Sequence, residues 1–172
     1  MKYIVDEVVK KQMEILSGRK SFTKWTGSKF ECVKDAACTP KGDFGERIFA
    51  DILNKLGFTA EIVNCGKGEF DVLMKDSGLK IEVKTATEDT SKHFQFNGIK
   101  KDVNYDFVFC FGVSPSKLWF NFFPKSVCKN LTCAMTKDGG DSFKLTASPR
   151  SFKYPLHEFS AERFVKEVRK IV

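Results

Sequence analysis
The chain has 172 residues, 42% of them hydrophobic and 18 of them phenylalanine. That excludes a disordered protein and suits one domain with a sizeable core. Its 29 basic and 22 acidic residues leave a formal charge of +7, a surplus that favours polyanions, nucleic acid first.

The amino terminus carries Lys2, Asp6, Glu7, Lys10 and Lys11, so it does not read as a secretory signal, and no apolar run approaches membrane-spanning length. A cytoplasmic protein with no membrane partner is expected. Residues 3–17 place Ile4, Val5, Val8, Val9, Met13 and Leu16 at helical spacing, with Ser17-Gly18 as the stop. Residues 18–41 hold neither helical nor strand periodicity and interleave Arg19, Lys20, Lys24, Lys29, Lys34 and Lys41 with Phe22, Trp25 and Phe30. This is either a nucleic-acid contact, cations to phosphates and rings to bases, or a surface loop pinned by Trp25 and Phe30. Residues 43–56 read as an amphipathic helix ended by Gly57, with Glu46 in its first turn, where the helix dipole favours a carboxylate.

A strand is expected at 58–64. Two apolar-rich runs follow, 68–74 and 80–84, separated by Asp76-Ser77-Gly78, and together they read as a β-hairpin. Alternation sends Glu82 and Lys84 to one face and Ile81 and Val83 to the other, with Asp71 across the ladder from the charged pair. Residues 93–101 are ambiguous between a short helix and an extended segment. Residues 105–113 read as a strand buried on both faces, 118–123 as its neighbour, and 124–127 as the start of a short helix or turn. The segment 136–157 is expected to be basic and loop-rich, and 160–171 helical. The six cysteines (Cys32, Cys38, Cys65, Cys110, Cys128, Cys133) include no Cys-x-x-Cys pair, which favours reduced thiols over a zinc site.

Asp71 and Glu82 brought together would repel unless a hard divalent cation lay between them, and Mg²⁺ or Mn²⁺ suits oxygen ligands. The Val83 backbone carbonyl would add a third oxygen. Lys84 beside the ion would orient or deprotonate a water, or stabilise charge on a phosphate. With a basic exterior, this set describes phosphodiester hydrolysis. The plain alternative is an exposed strand face with alternating charges.

Asp71, ten intervening residues and Glu82-Val83-Lys84 resemble the PD-(D/E)xK nuclease signature of type II restriction endonucleases and many DNA repair nucleases. Gly45-Glu46 on an upstream helix, the apolar residues before Asp71 and Ile81 before Glu82 extend the resemblance. So does the course from His93 to Phe123, and together they cover roughly residues 40–127. Phe70 stands where that family has its proline. The resemblance implies an α/β restriction-endonuclease-like core, a mixed central β-sheet of about four or five strands flanked by α-helices. It implies one nuclease domain over 1–172, with the basic loop 18–41 and the segment 128–172 as elaborations for DNA binding and dimerisation. Asp71 and Glu82 would ligate Mg²⁺, with Mn²⁺ able to substitute, Lys84 would act on the water, and Glu46 would be an auxiliary acid.

The implied function is a type II restriction endonuclease cutting double-stranded DNA as a homodimer. The alternatives are a structure-specific repair nuclease or junction resolvase, or a non-catalytic DNA-binding protein. Loops at 18–41, 87–104 and 136–157 would hold the duplex. There Lys24, Lys29, Lys92, Lys100 and Lys101 would set affinity, while Gln95, Asn97, Asn104 and Arg150 would read base edges.

Overall fold
The computed structural model describes residues 24–63, 69–135 and 140–172. The expected helix at 3–17 and Cys65 lie outside them. Two helices come first, α1 (Glu31–Asp35) and α2 (Cys38–Lys55), followed by strands β1 (Ala60–Ile62), β2 (Val72–Met74), β3 (Leu79–Thr87), β4 (Phe94–Lys100), β5 (Phe107–Val113) and β6 (Leu118–Pro124). Helix α3 (Lys125–Lys129), strands β7 (Ser142–Ala147) and β8 (His157–Glu158) and helix α4 (Ala161–Val168) complete the described order.

Six of these strands form one mixed sheet in the order β1-β2-β3-β5-β6-β8. All its pairings are antiparallel except β3 with β5, which run parallel from Ile81↔Phe107 to Thr87↔Val113. The described sheet is thus wider than the four or five strands expected, because the segment after β7 adds β8 at one edge. The remaining two strands, β4 and β7, pair as a separate antiparallel ribbon, and Phe143 of β7 adds a single bridge to Ala134.

The helix expected at 43–56 begins five residues earlier, at Cys38. Pro40 falls in its first turn, where a missing N–H costs no helical hydrogen bond, so the proline opens the helix instead of excluding it. Gly57 stops it as expected, in a left-handed conformation at φ +88°. The aperiodic stretch before it contains α1, and Trp25 is buried there at 4% exposure while Phe30 packs against the same core. The two aromatics therefore act as anchors for the core.

The ambiguous segment at 93–101 is strand β4. The segment read as loop, 136–157, supplies β7, whose pairing partner lies far back in the chain and leaves no local trace. The expected strand at 58–64 shortens to Ala60–Ile62, and the last helix to Ala161–Val168.

Both faces of the central sheet are covered. On one, α2 and α4 bury Phe49, Leu53 and Phe164 against Ile81, Val83, Phe109, Phe111, Phe120 and Phe122. Phe49 stacks on Phe109 at 4.3 Å, and Phe164 meets Phe109 edge-on at 6.0 Å, arrangements that aromatic quadrupoles favour. On the other, the ribbon lays Phe94, Phe96, Ile99, Leu145 and Ala147 over Ala86, Val108, Cys110 and Tyr105. The five described cysteines are free thiols, Cys110 and Cys128 buried. No described helix is long and apolar enough to cross a membrane.

Candidate active site
Strand β3 carries the centre of the site. Its burial alternates as the sequence predicts: Ile81 and Val83 face the α2 core, while Glu82 and Lys84 face the other side, 13% and 22% exposed at the side chain and joined in an ion pair. Asp71 lies at the mouth of β2. Its N–H donates to the Ile81 carbonyl at 3.0 Å, and its Oδ2 accepts from the Val83 N–H at 2.7 Å.

The β2–β3 ladder ends at Val72↔Ile81, and the Asp71 carboxylate takes the place of the next ladder partner at Val83. The N–H and C=O of one strand residue leave by the same edge, so the Val83 carbonyl points to the edge that Asp71 occupies. Glu46 on α2 is near enough to feel the Asp71 charge. Gly45, the residue before it, lets the helix approach β3: a Cβ there would overlap Thr85 Oγ1 and lie 3.2 Å from Thr85 Cβ.

These groups act on one another electrostatically. Burial raises the Asp71 carboxyl above its ordinary range, against the pull of Lys84, the Val83 N–H and a hydrogen bond with Glu82. Burial likewise raises Glu82, with the Asp71 charge adding to it and Lys84 and Lys100 opposing. Glu46 is raised by burial first, then by Asp71 and Asp43. Two neighbouring carboxyls, both raised by burial, are a pair that a further positive charge would relieve.

That donor set fits a hard divalent cation. Among the described residues no group of three or more His, Cys, Asp or Glu side chains could hold a metal, so the protein's offer is two carboxylates and a backbone carbonyl. Mg²⁺ is commonly held by one or two carboxylates, the rest of its shell filled by water and phosphate oxygens. Asp71, Glu82 and the Val83 carbonyl would hold it. Glu46 acts on the pair through its charge.

The residues assigned to DNA separate into those that are available and those that are engaged. Gln95, Asn97 and Lys100 are exposed on the outer side of β4, with Phe94, Phe96 and Ile99 buried beneath. A register shift between Phe96 and Ile99, with Gly98 at φ +77°, keeps Lys100 on the outer side despite the odd spacing. Lys92, Asn104 and Arg150 are exposed, and so is Lys29, whose ammonium lies 4.7 Å over the Phe30 ring.

Lys24 is engaged in an ion pair with Glu88 at 3.1 Å. Lys101 is folded over the Phe143 ring at 3.6 Å and donates to the Leu131 carbonyl.

Sequence reasoning missed the partner strand. Thr146 of β7 stands exposed directly opposite Gln95, and Lys144 follows two residues away on the same side. It also missed Tyr105, which is buried with its hydroxyl unpaired close to Cys128 and near enough to Glu82 for that charge to help raise its pKa. No signal in the sequence marks either, since both depend on long-range packing.

No protein-family model matches the chain, and no curated protein does. Among solved structures, the bacterial homing endonuclease I-Ssp6803I is similar with a TM-score of 0.50 and 16% sequence identity, covering 78% of this chain and 95% of that one. The chain shares the fold of a homing endonuclease.

Proposed function
We propose that this protein is a metal-dependent endodeoxyribonuclease of the PD-(D/E)xK type that cuts double-stranded DNA at a specific site. The observation that carries it is the convergence of Asp71, Glu82 and Lys84 at the open edge of β3, with Glu46 charged against them from α2. The shared fold with a homing endonuclease supports the class of reaction.

Mg²⁺, when bound, would supply Lewis acidity toward the phosphate and lower the pKa of a bound water. The chain's own residues do the rest. Asp71 is fixed by the Val83 N–H, so its second oxygen is presented in one orientation. Glu82 holds the Lys84 ammonium at the site, placing a proton donor where charge grows on the scissile phosphate. Glu46 adds negative potential that draws a cation in and keeps a water polarised.

The ribbon β4–β7 supports recognition of duplex DNA. A two-stranded ribbon fits the major groove, and its outer side presents an amide at Gln95, another at Asn97, the hydroxyl of Thr146 and the cations Lys100 and Lys144. Lys100 already acts on Glu82 electrostatically, so DNA lying on the ribbon reaches the carboxylates at its Lys100 end. Cutting both strands calls for two active sites, and a homodimer supplies them. The restriction-enzyme reading and a homing-type reading share this chemistry and differ in the length of DNA read.

Digestion of a sequenced plasmid with Mg²⁺, followed by end mapping, tests the proposal. Discrete fragments with fixed ends are expected. Preference for branched substrates would replace site recognition with junction resolution, and no cutting with Mg²⁺, Mn²⁺ or any other divalent ion would leave a DNA-binding protein without catalysis.

A further inference from the structure
Phe152 stands fully exposed at 104%, whereas every other phenylalanine among the described residues is buried or half-buried. It is not on a loose loop. The turn from Ser148 to Tyr154 is closed by hydrogen bonds from Ser151 N–H to the Ser148 carbonyl at 3.1 Å, from Tyr154 N–H to Ser151 Oγ at 2.9 Å, and from Ser148 N–H to the Tyr154 carbonyl at 3.3 Å. Behind it, Tyr154 packs edge-on against Phe123 at 5.9 Å and Leu156 is buried. The fold thus holds both ends of the turn and aims one apolar ring at solvent.

The surroundings select what that ring meets. Arg150 and Lys153 flank it and are exposed. Lys92 and His93 line the adjoining groove with Arg150 and Trp119, and the acid in that groove, Glu88, is paired with Lys24. A second copy of this chain would bring like charges together at the turn. A base step of duplex DNA offers an apolar stack set between phosphates, which matches the ring and its cations together.

We propose that Phe152 is a wedge that enters the base stack of bound duplex DNA, with Arg150 and Lys153 holding the flanking phosphates. This rests on the nuclease reading. The turn follows Ala147, which pairs with Phe94 at the end of the ribbon opposite Lys100. At roughly 3.3 Å per residue, the ribbon sets the start of the turn about 20 Å from its Lys100 end. That is about six base pairs along a duplex.

Binding of a fluorescein-labelled duplex, fully paired or carrying one central mismatch, tests the wedge with wild type, Phe152→Ala and Phe152→Trp. A mismatch lowers the cost of unstacking, so wild type binds the mismatched duplex more tightly than the paired one. Phe152→Ala is expected to lose about fivefold or more in affinity and to lose the mismatch preference, while Phe152→Trp keeps both. A Phe152→Ala protein that binds and discriminates as wild type does, in a preparation that still cuts DNA, overturns the wedge and leaves the nuclease reading standing. A wild-type protein that neither binds nor cuts duplex overturns both. A change in the sedimentation of free Phe152→Ala without a change in DNA binding assigns the ring to a protein contact and overturns the wedge.

Discussion
At the scale of single residues, the proposed reading gives Lys84 and the two carboxylates beside it separable roles. Lys84 donates to Glu82 and is only partly exposed, so it contributes little to the outer surface proposed to meet DNA. Lys84→Ala should therefore lower cleavage at least about a hundredfold while leaving duplex affinity nearly unchanged, as read by plasmid nicking and by fluorescence anisotropy. Asp71→Asn keeps an oxygen for the Val83 N–H but removes the charge. It should abolish the heat of Mg²⁺ binding in titration calorimetry and raise the metal-free melting temperature at neutral pH by roughly 2–4 °C, the shift one kilocalorie per mole makes in a chain of this size.

The sign follows from the direction of the shifts. Asp71, Glu82 and Glu46 all hold protons more tightly when folded. The stability they contribute is present below the ordinary carboxylate range and is lost as the pH rises through their raised values. Thermal scans in a chelator between about pH 4 and pH 8 should show that loss, and Asp71→Asn should flatten it. That Glu82 and Lys84 share a face was legible in the sequence because a period of two needs only neighbours. Tyr105 was not, since what places it near Glu82 is the packing of β4 and α3 around it.

At the scale of elements, the contact between α2 and β3 decides whether Glu46 reaches the site. Gly45→Ala puts a methyl into Thr85, an overpacking that typically costs about 1–3 kcal/mol. It should also push Glu46 away from Asp71, so activity should fall more than stability explains. Adding Thr85→Ala removes the hydroxyl, a buried group with no hydrogen-bond partner, and should restore part of both in a double-mutant cycle read by chemical denaturation and cleavage. The helix itself was legible from Ile48, Phe49, Ile52 and Leu53. Its first five residues were not, because Pro40 signals a break everywhere except in a first turn. The ribbon was half legible: β4 lay within an ambiguous segment, and β7 was hidden among glycines and lysines whose strand state depends on pairing with Phe94, Phe96 and Ile99.

At the scale of the whole molecule, the surplus of +7 gains meaning from where the unpaired cations stand. Lys100, Lys92 and Arg150 lie along the ribbon and the turn beyond it, whereas Lys24, Lys75 and Lys117 are neutralised by Glu88, Glu61 and Glu158. Affinity for duplex should fall linearly with the logarithm of salt concentration, and Lys100→Ala should reduce that slope by about one. Among the described residues every phenylalanine except Phe152 packs into one of the two cores on either side of the sheet. That rigidity matters for the connection between β3 and β5. Parallel neighbours need a crossover, and here the crossover is the ribbon strand β4 itself, in place of a helix.

The strand that holds Glu82 and Lys84 therefore runs through a handful of residues into the strand that presents Gln95 and Asn97. On the proposed reading, the scissile bond and the bases being recognised are tied by a covalent ruler with almost no slack. A change in the length of the 88–93 segment would move the cut relative to the recognised bases by a fixed step. The offset between reading and cutting would then be inherited as a property of one short peptide.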